Sequence, residues 1–234
     1  MRQTLNIIYY IIIAFIAVII TLTIAFIYPS SSNTVTTNDK LLISGLFILS
    51  CIFGLSLAIY PGSFRRLIKH GDQGSKKKKS KKTKLTFKGH HPNCERFRSH
   101  TLNTKSKTLC AGCLGLAIGS IFSIILIISY NLVNIEQPST MLYIPLSVGI
   151  IIISLSYVEI MLPIRNSIVH IISNVLLVIS FLILTVSIFE ITGDKTYGVL
   201  IIILSFLWLD TRIHLSDWQH DRICRKCSKT CKSY

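Results

Sequence analysis

An all-α fold, a polytopic membrane helical bundle of about six transmembrane helices, is predicted by three features of the sequence. Half of the 234 residues are hydrophobic and only 15% are charged, the apolar residues come in long blocks, and the positive charge is gathered between alternate blocks. A spanning helix needs about 20 mostly apolar residues, because the hydrocarbon core is ~30 Å thick and each helical residue rises ~1.5 Å. The mean hydropathy is positive, which excludes an ordinary soluble globular domain.

The blocks follow in order. Leu5 to Tyr28 comes after a short basic start; it is too long for the apolar core of a signal peptide and lacks a small-residue cleavage site, so it reads as a retained anchor. Leu41 to Tyr60, Ala111 to Val133, Met141 to Leu162 and Ser167 to Phe189 supply four further spans. The sixth begins near Tyr197 and keeps its apolar run only to Leu209, so it must borrow Asp210 to His214 at one interface. Residues 1–62 then hold spans one and two with a short external loop, 63–110 a basic cytoplasmic loop, 111–214 spans three to six, and 215–234 a cytoplasmic cysteine-rich tail.

Cytoplasmic loops collect Lys and Arg. With the N-terminus inside, every Lys and Arg except Lys40 and Lys195 falls on the cytoplasmic side. The formal charge of +15 therefore belongs to one face of a membrane protein and does not of itself indicate nucleic-acid binding. Both termini are expected in the cytoplasm, at a plasma membrane. Six of the seven cysteines, all but Cys51, then face a reducing compartment where disulfides are disfavoured. Cys51 lies mid-span among apolar neighbours and reads as a small buried hydrophobe.

Between Gly71 and Lys84 the sequence offers Lys76 to Lys79, Lys81, Lys82 and Lys84 among Ser and Gly, with almost nothing apolar to bury. Such a tether is attracted to anionic lipid headgroups by about 1 kcal/mol per basic residue close to the surface. No aromatic residue interrupts the run to stack on bases, so nucleic acid is the weaker partner. Small residues at four-residue spacing, Ser50, Gly54 and Ala58 in the second span and Gly115 and Gly119 in the third, predict close helix–helix packing.

Two clusters carry ligand chemistry. His91, Cys94, Cys110 and Cys113 form H-x2-C-x15-C-x2-C, the paired-knuckle zinc spacing with one histidine in place of a cysteine. Each two-residue spacer lets a pair of ligands grip one ion from a tight turn, and the surrounding Lys and Arg favour the thiolates. His90 and His100 are alternative imidazoles for the same place. His220, Cys224, Cys227 and Cys231 form H-x3-C-x2-C-x3-C in the tail. One or two zinc ions are expected, with an iron–sulfur centre the lesser alternative because the tail lacks a fourth cysteine. A C-x-x-C pair opening a helix, as Cys110 and Cys113 do, also suits a dithiol that cycles by oxidation.

A third feature lies at the inner boundary. If the last span stays helical, Asp210, His214, Asp217 and Asp221 share one face. Asn166, His170 and Asn174 recur at four-residue spacing in the fifth span, and Glu159 lies near the end of the fourth. Ionisable groups in a membrane are candidates for function. The simpler expectation is that Glu159 and Asp210 pair with Arg165 or Arg212.

The stretch His90 to Gly119, HHPNC followed by CAGCLGLAIG, resembles a motif of uncharacterised prokaryotic, mainly archaeal, multi-pass membrane proteins, HHPxC…CAxCxGL. The resemblance covers thirty residues; it implies that Cys94, Cys110 and Cys113 are the family's marked positions, and it names no activity. The leading expectation is a membrane protein whose loop and tail fold around structural zinc as a docking or regulatory platform for a cytoplasmic protein, and not an enzyme. The alternatives are a membrane-interface metalloenzyme using the Asp210, His214 and Asp217 stripe with His170, and a thiol oxidoreductase using Cys110/Cys113 and Cys224/Cys227.

Overall fold

The computed structural model describes residues 2–30, 35–59, 87–88, 91–92, 101–104, 107–133, 139–162 and 166–225. Six long helices dominate: α1 (Arg2–Ile27), α2 (Thr37–Ile59), α3 (Ala111–Leu132), α4 (Tyr143–Met161), α5 (Ser167–Thr192) and α6 (Lys195–Arg225). Two short antiparallel hairpins, β1 (Phe87–Lys88) with β2 (His91–Pro92) and β3 (Thr101–Thr104) with β4 (Lys107–Cys110), stand between α2 and α3. A short 3-10 turn, Ser139–Leu142, leads into α4.

All six helices are long and apolar enough to cross a membrane, the architecture of a multi-pass membrane protein. The distribution of side chains agrees with a lipid surround. Large apolar residues point outward along every helix, with Phe15, Leu49, Leu132, Ile144, Ile168 and Ile203 all exposed. Water would tolerate no such contiguous apolar surface on a monomer. Serines and threonines inside the spans bond back onto their own helices, as Thr21 Oγ1 does to the Ala17 carbonyl (2.9 Å) and Ser205 Oγ to that of Ile201 (2.9 Å). Hydrocarbon offers them no other partner.

Helix ends follow local chemistry. Thr36 caps α2 by accepting from Asp39 N (3.2 Å) while its hydroxyl donates to Asp39 Oδ2 (2.8 Å). Asn166 Oδ1 caps α5 by accepting from Ile168 N (3.0 Å). Between α5 and α6, Gly193 takes the left-handed conformation (φ 66°) that ends the first helix, and Asp194 Oδ1 accepts from Thr196 N (2.8 Å) to start the next. Asn166→Ala is expected to lower stability by about 1 kcal/mol, with Asn166→Asp close to neutral, in detergent unfolding curves.

α5 is the central helix, packed against α1, α3, α4 and α6. Its partnership with α3 rests on Gly115 and Gly119. A Cβ at Gly115 would meet the Ile171 carbonyl oxygen at 2.6 Å, and one at Gly119 would meet Val175 backbone atoms at 3.0 Å. Gly54 of α2 faces Ser120 of α3 at the looser distance of 3.9 Å, an ordinary contact. The predicted close approach therefore holds for Gly115 and Gly119 of the third span. Cys51 is buried in the apolar core, as its neighbours imply.

Neighbouring contacts give the bundle two polar ends. At one end Lys195 Nζ donates to Asp39 Oδ1 (2.9 Å), Lys40 sits over the Tyr130 ring (4.1 Å), Tyr130 bonds Glu190, and Asn131 donates to Ser44 Oγ (2.8 Å). Lys40 and Lys195, the two basic residues set apart by the charge count, thus share one end. The hairpins and the start of α3 occupy the other.

The last helix differs from its expected form. Where the sequence predicts a span that borrows Asp210 to His214 and gives way to a tail at residue 215, α6 runs unbroken to Arg225. It starts at Lys195, two residues before the apolar run, and beyond Asp210, which ends that run, Arg212 is neutralised inside the bundle by Glu159.

Candidate functional site at the hairpin end of the bundle

Cys110 closes β4 and immediately precedes α3. In the β3–β4 hairpin it lies across from Thr101, and β1 rests against β4. Cys113 follows one helical turn later, and its thiol is hydrogen-bonded to that of Cys110. Cys110 does not cap the helix with its side chain. Two sulfurs therefore stand together at the first turn of α3.

Behind them lies a buried polar cluster. Arg212 of α6, with 8% of its side chain exposed, donates through Nη2 to Glu159 Oε2 of α4 (3.2 Å) and to Ser173 Oγ of α5 (3.0 Å). Its Nη1 donates to Asn174 Oδ1. His170 Nδ1 pairs with the other carboxylate oxygen of Glu159, and Asn174 Nδ2 donates to the His170 carbonyl (2.6 Å). Tyr157 completes the α4–α6 contact by bonding the Trp208 carbonyl (2.9 Å) and Thr211 Oγ1 (2.5 Å). One cation thus ties together three helices, and a carboxylate and an imidazole fill its surroundings.

The two groups adjoin at Gly112. The point where a Cβ of residue 112 would sit is 3.9 Å from Cys110 Sγ and 3.8 Å from Asn174 Nδ2. Cys110 of the thiol pair and Asn174 of the cationic cluster therefore both border Gly112.

No protein family, curated protein or solved structure matches the chain. What the site can do rests on its own residues.

Of the first ligand set, Cys110 and Cys113 are brought together, and the backbone of His91 lies in β2 opposite Lys88. Cys94, His90 and His100 lie outside the described residues. Of the second set, His220 and Cys224 occupy the last turns of α6, one turn apart on one face; Cys227 and Cys231 lie outside the described residues, as does the Lys76 to Lys84 run.

The Asp/His stripe on the last helix faces the wrong way for an interior site. Asp210 and His214 are 63% and 45% exposed and 3.7 Å apart, and His214 stacks on the Tyr10 ring with centroids 4.5 Å apart. His170, the proposed companion of that stripe, instead pairs with Glu159. Among the described residues no three His, Cys, Asp or Glu side chains are gathered as a metal site. The physical reason is angular: Arg212 follows Asp210 by two residues, so it sits on nearly the opposite face of α6. Burial of Arg212, Trp208 and Leu215 turns the stripe outward.

The expectation that Glu159 pairs with an arginine holds, with Arg212 as the partner. Sequence reasoning did not anticipate that Asn174 and Ser173 join it. The signal was present in the four-residue spacing of Asn166, His170 and Asn174, which share a face; Asn166 is spent on capping and the other two enter the cluster.

Proposed function

We propose that the chain is a multi-pass membrane protein whose cytoplasmic loop folds around a structural zinc ion held by His91, Cys94, Cys110 and Cys113, forming a docking or regulatory platform on the bundle. The observation that carries this reading is the contact between the Cys110 and Cys113 thiols at the first turn of α3. A chelating pair needs that side-by-side arrangement. The hairpins support the remaining ligands: β1 and β2 turn the chain back at residues 88–91, and β4, against which β1 rests, leads straight into Cys110. With His91 in β2 and Cys94 three residues beyond it in sequence, these two and the two cysteines at the start of α3 would complete a tetrahedron. The donor set of three thiolates and one imidazole suits zinc and favours a basic setting.

The second set, His220, Cys224, Cys227 and Cys231, would hold a second zinc ion, its first two ligands presented by one face of α6. The charge asymmetry supports placing both sets in the cytoplasm at the plasma membrane, with the Lys76 to Lys84 run against anionic lipid headgroups.

Metal quantitation of the purified full-length protein tests the reading. One or two tightly held zinc ions per chain are expected, with Cys110 and Cys113 shielded from alkylation until a chelator is added. Cys113→Ser should remove one ion. A metal-free protein whose thiols alkylate at once would overturn it. The same thiol contact would then favour the dithiol reading, in which Cys110 and Cys113 form a disulfide while reducing an external disulfide to two thiols. Isolation of that disulfide at a defined potential is its signature.

A further inference from the structure

We infer that Asn174 is a positioning residue for the metal module: it joins the Cys110/Cys113 pair to the Arg212–Glu159–His170 cluster, so that ion binding in the loop is coupled to the packing of α4, α5 and α6. The inference rests on the zinc reading above and names how that site is regulated.

Three observations carry it. First, the orientation of the Asn174 amide is fixed. Its oxygen accepts from Arg212 Nη1, which turns its nitrogen toward the His170 carbonyl and Gly112. A carboxamide nitrogen has two N–H donors, and the bond to His170 O (2.6 Å) uses one. Second, residue 112 is glycine, and the unfilled place of its side chain is bounded by that nitrogen and by Cys110 Sγ, at 3.8 and 3.9 Å. Third, the spacing is locked. One turn further along α3, Gly115 packs so closely on Ile171 and Asn174 that a Cβ there would fall 2.6 and 2.7 Å from them. The start of α3 cannot slide relative to Asn174.

The electrostatics follow. Three thiolates and one imidazole around zinc carry a net charge of minus one. An amide whose oxygen is held by a buried guanidinium turns its nitrogen, the positive end of its dipole, toward Gly112, which Cys110 Sγ also borders. Outer-shell donors of this kind orient first ligands and typically change metal affinity by about 10–100-fold. Coupling is reciprocal: if the cluster strengthens ion binding, the ion strengthens the cluster. The platform would then report its metal state to the membrane-embedded helices through one side chain.

Two variants separate this from a merely structural role. Asn174→Ala removes the amide. Gly112→Ala leaves both groups intact but places a methyl between them at ordinary contact distances, in a helical glycine with no positive φ, so it should fold. Cobalt(II) is titrated into metal-free full-length protein in detergent, with thiolate-to-cobalt charge-transfer absorption as readout and zinc competition giving affinity. Each variant should bind about 10–100-fold more weakly than the parent, and zinc should raise the bundle's unfolding midpoint in the parent far more than in Asn174→Ala. Unchanged affinity in Gly112→Ala and in a folded Asn174→Ala, with Cys113→Ser still abolishing the band, overturns the coupling and leaves the zinc reading standing. Absence of any charge-transfer band in the parent overturns both. If Asn174→Ala fails to fold, Gly112→Ala alone decides.

Discussion

Arg212→Ala is expected to lower the stability of the bundle by about 3–5 kcal/mol, the usual consequence of removing one partner of a buried ion pair. The guanidinium makes three side-chain bonds, to Glu159, Ser173 and Asn174. Interhelical hydrogen bonds in membranes average only about 0.6 kcal/mol each, so their loss alone would amount to roughly 2 kcal/mol. The excess comes from the Glu159 carboxylate, left in a buried site with His170 and the Ser173 hydroxyl but no permanent cation beside it. Pairing Arg212→Met with Glu159→Gln should recover much of the loss, because the stranded charge is then gone. Arg212→Lys should fall between, since an ammonium keeps the charge but cannot fork to Glu159 and Asn174 together. Equilibrium unfolding by sodium dodecyl sulfate in mixed micelles measures all three variants. A loss below about 1 kcal/mol for Arg212→Ala would mean that water reaches the cluster and solvates the carboxylate.

Gly115→Ala is the second large effect. The added carbon would lie 2.6 Å from the Ile171 carbonyl oxygen and 3.1 Å from its Cα. Those are backbone atoms, and no rotamer change can move them, so α3 and α5 must separate. Overpacking of this kind costs about 1–3 kcal/mol, outweighing the roughly 1 kcal/mol that alanine gains over glycine in a helix. Gly45→Ala is the control, for nothing lies within 4 Å of its Cβ position, and there only the gain should remain. The pair of unfolding midpoints should therefore shift in opposite directions. Agreement in sign would show that the α3–α5 contact is looser than its geometry.

Both predictions concern the same place. Gly115 sets the distance from the thiol pair to Asn174, and Arg212 sets the orientation of Asn174. A change at either should be felt at Cys110 and Cys113 as altered alkylation rates, although neither residue touches a sulfur. The stripe of Asp210 and His214 should be insensitive by comparison, since both side chains are exposed and His214 stacks on the Tyr10 ring.

Much of the architecture could be read from residue order. The first five spans were legible because a lipid solvent imposes a length and an apolar composition on any helix that crosses it, whatever its neighbours. The stops and starts around Gly193, Asp194 and Asn166 were equally local, being matters of backbone conformation and of one side chain reaching two residues along. Gly115 and Gly119 announced a close helix contact through their spacing. The sixth helix runs past its expected end at His214 because hydropathy falls at Asp210 and beyond, whereas the helix continues on an exposed polar face while Arg212 meets a carboxylate from another helix inside.

Sequence by itself determined the membrane class, the number of spans, the cysteine spacings and the placing of nearly all positive charge between alternate spans, since each depends on composition or on separations along one chain. Tertiary structure alone decided which polar face of the last helix turns inward, that Asn174 and Ser173 join Glu159 and Arg212, and that the thiol pair abuts them across Gly112. Those are relations between residues 38 to 64 positions apart. They follow from helix rotation and close approach, which depend on every packed side chain at once and leave no periodic mark in any single segment.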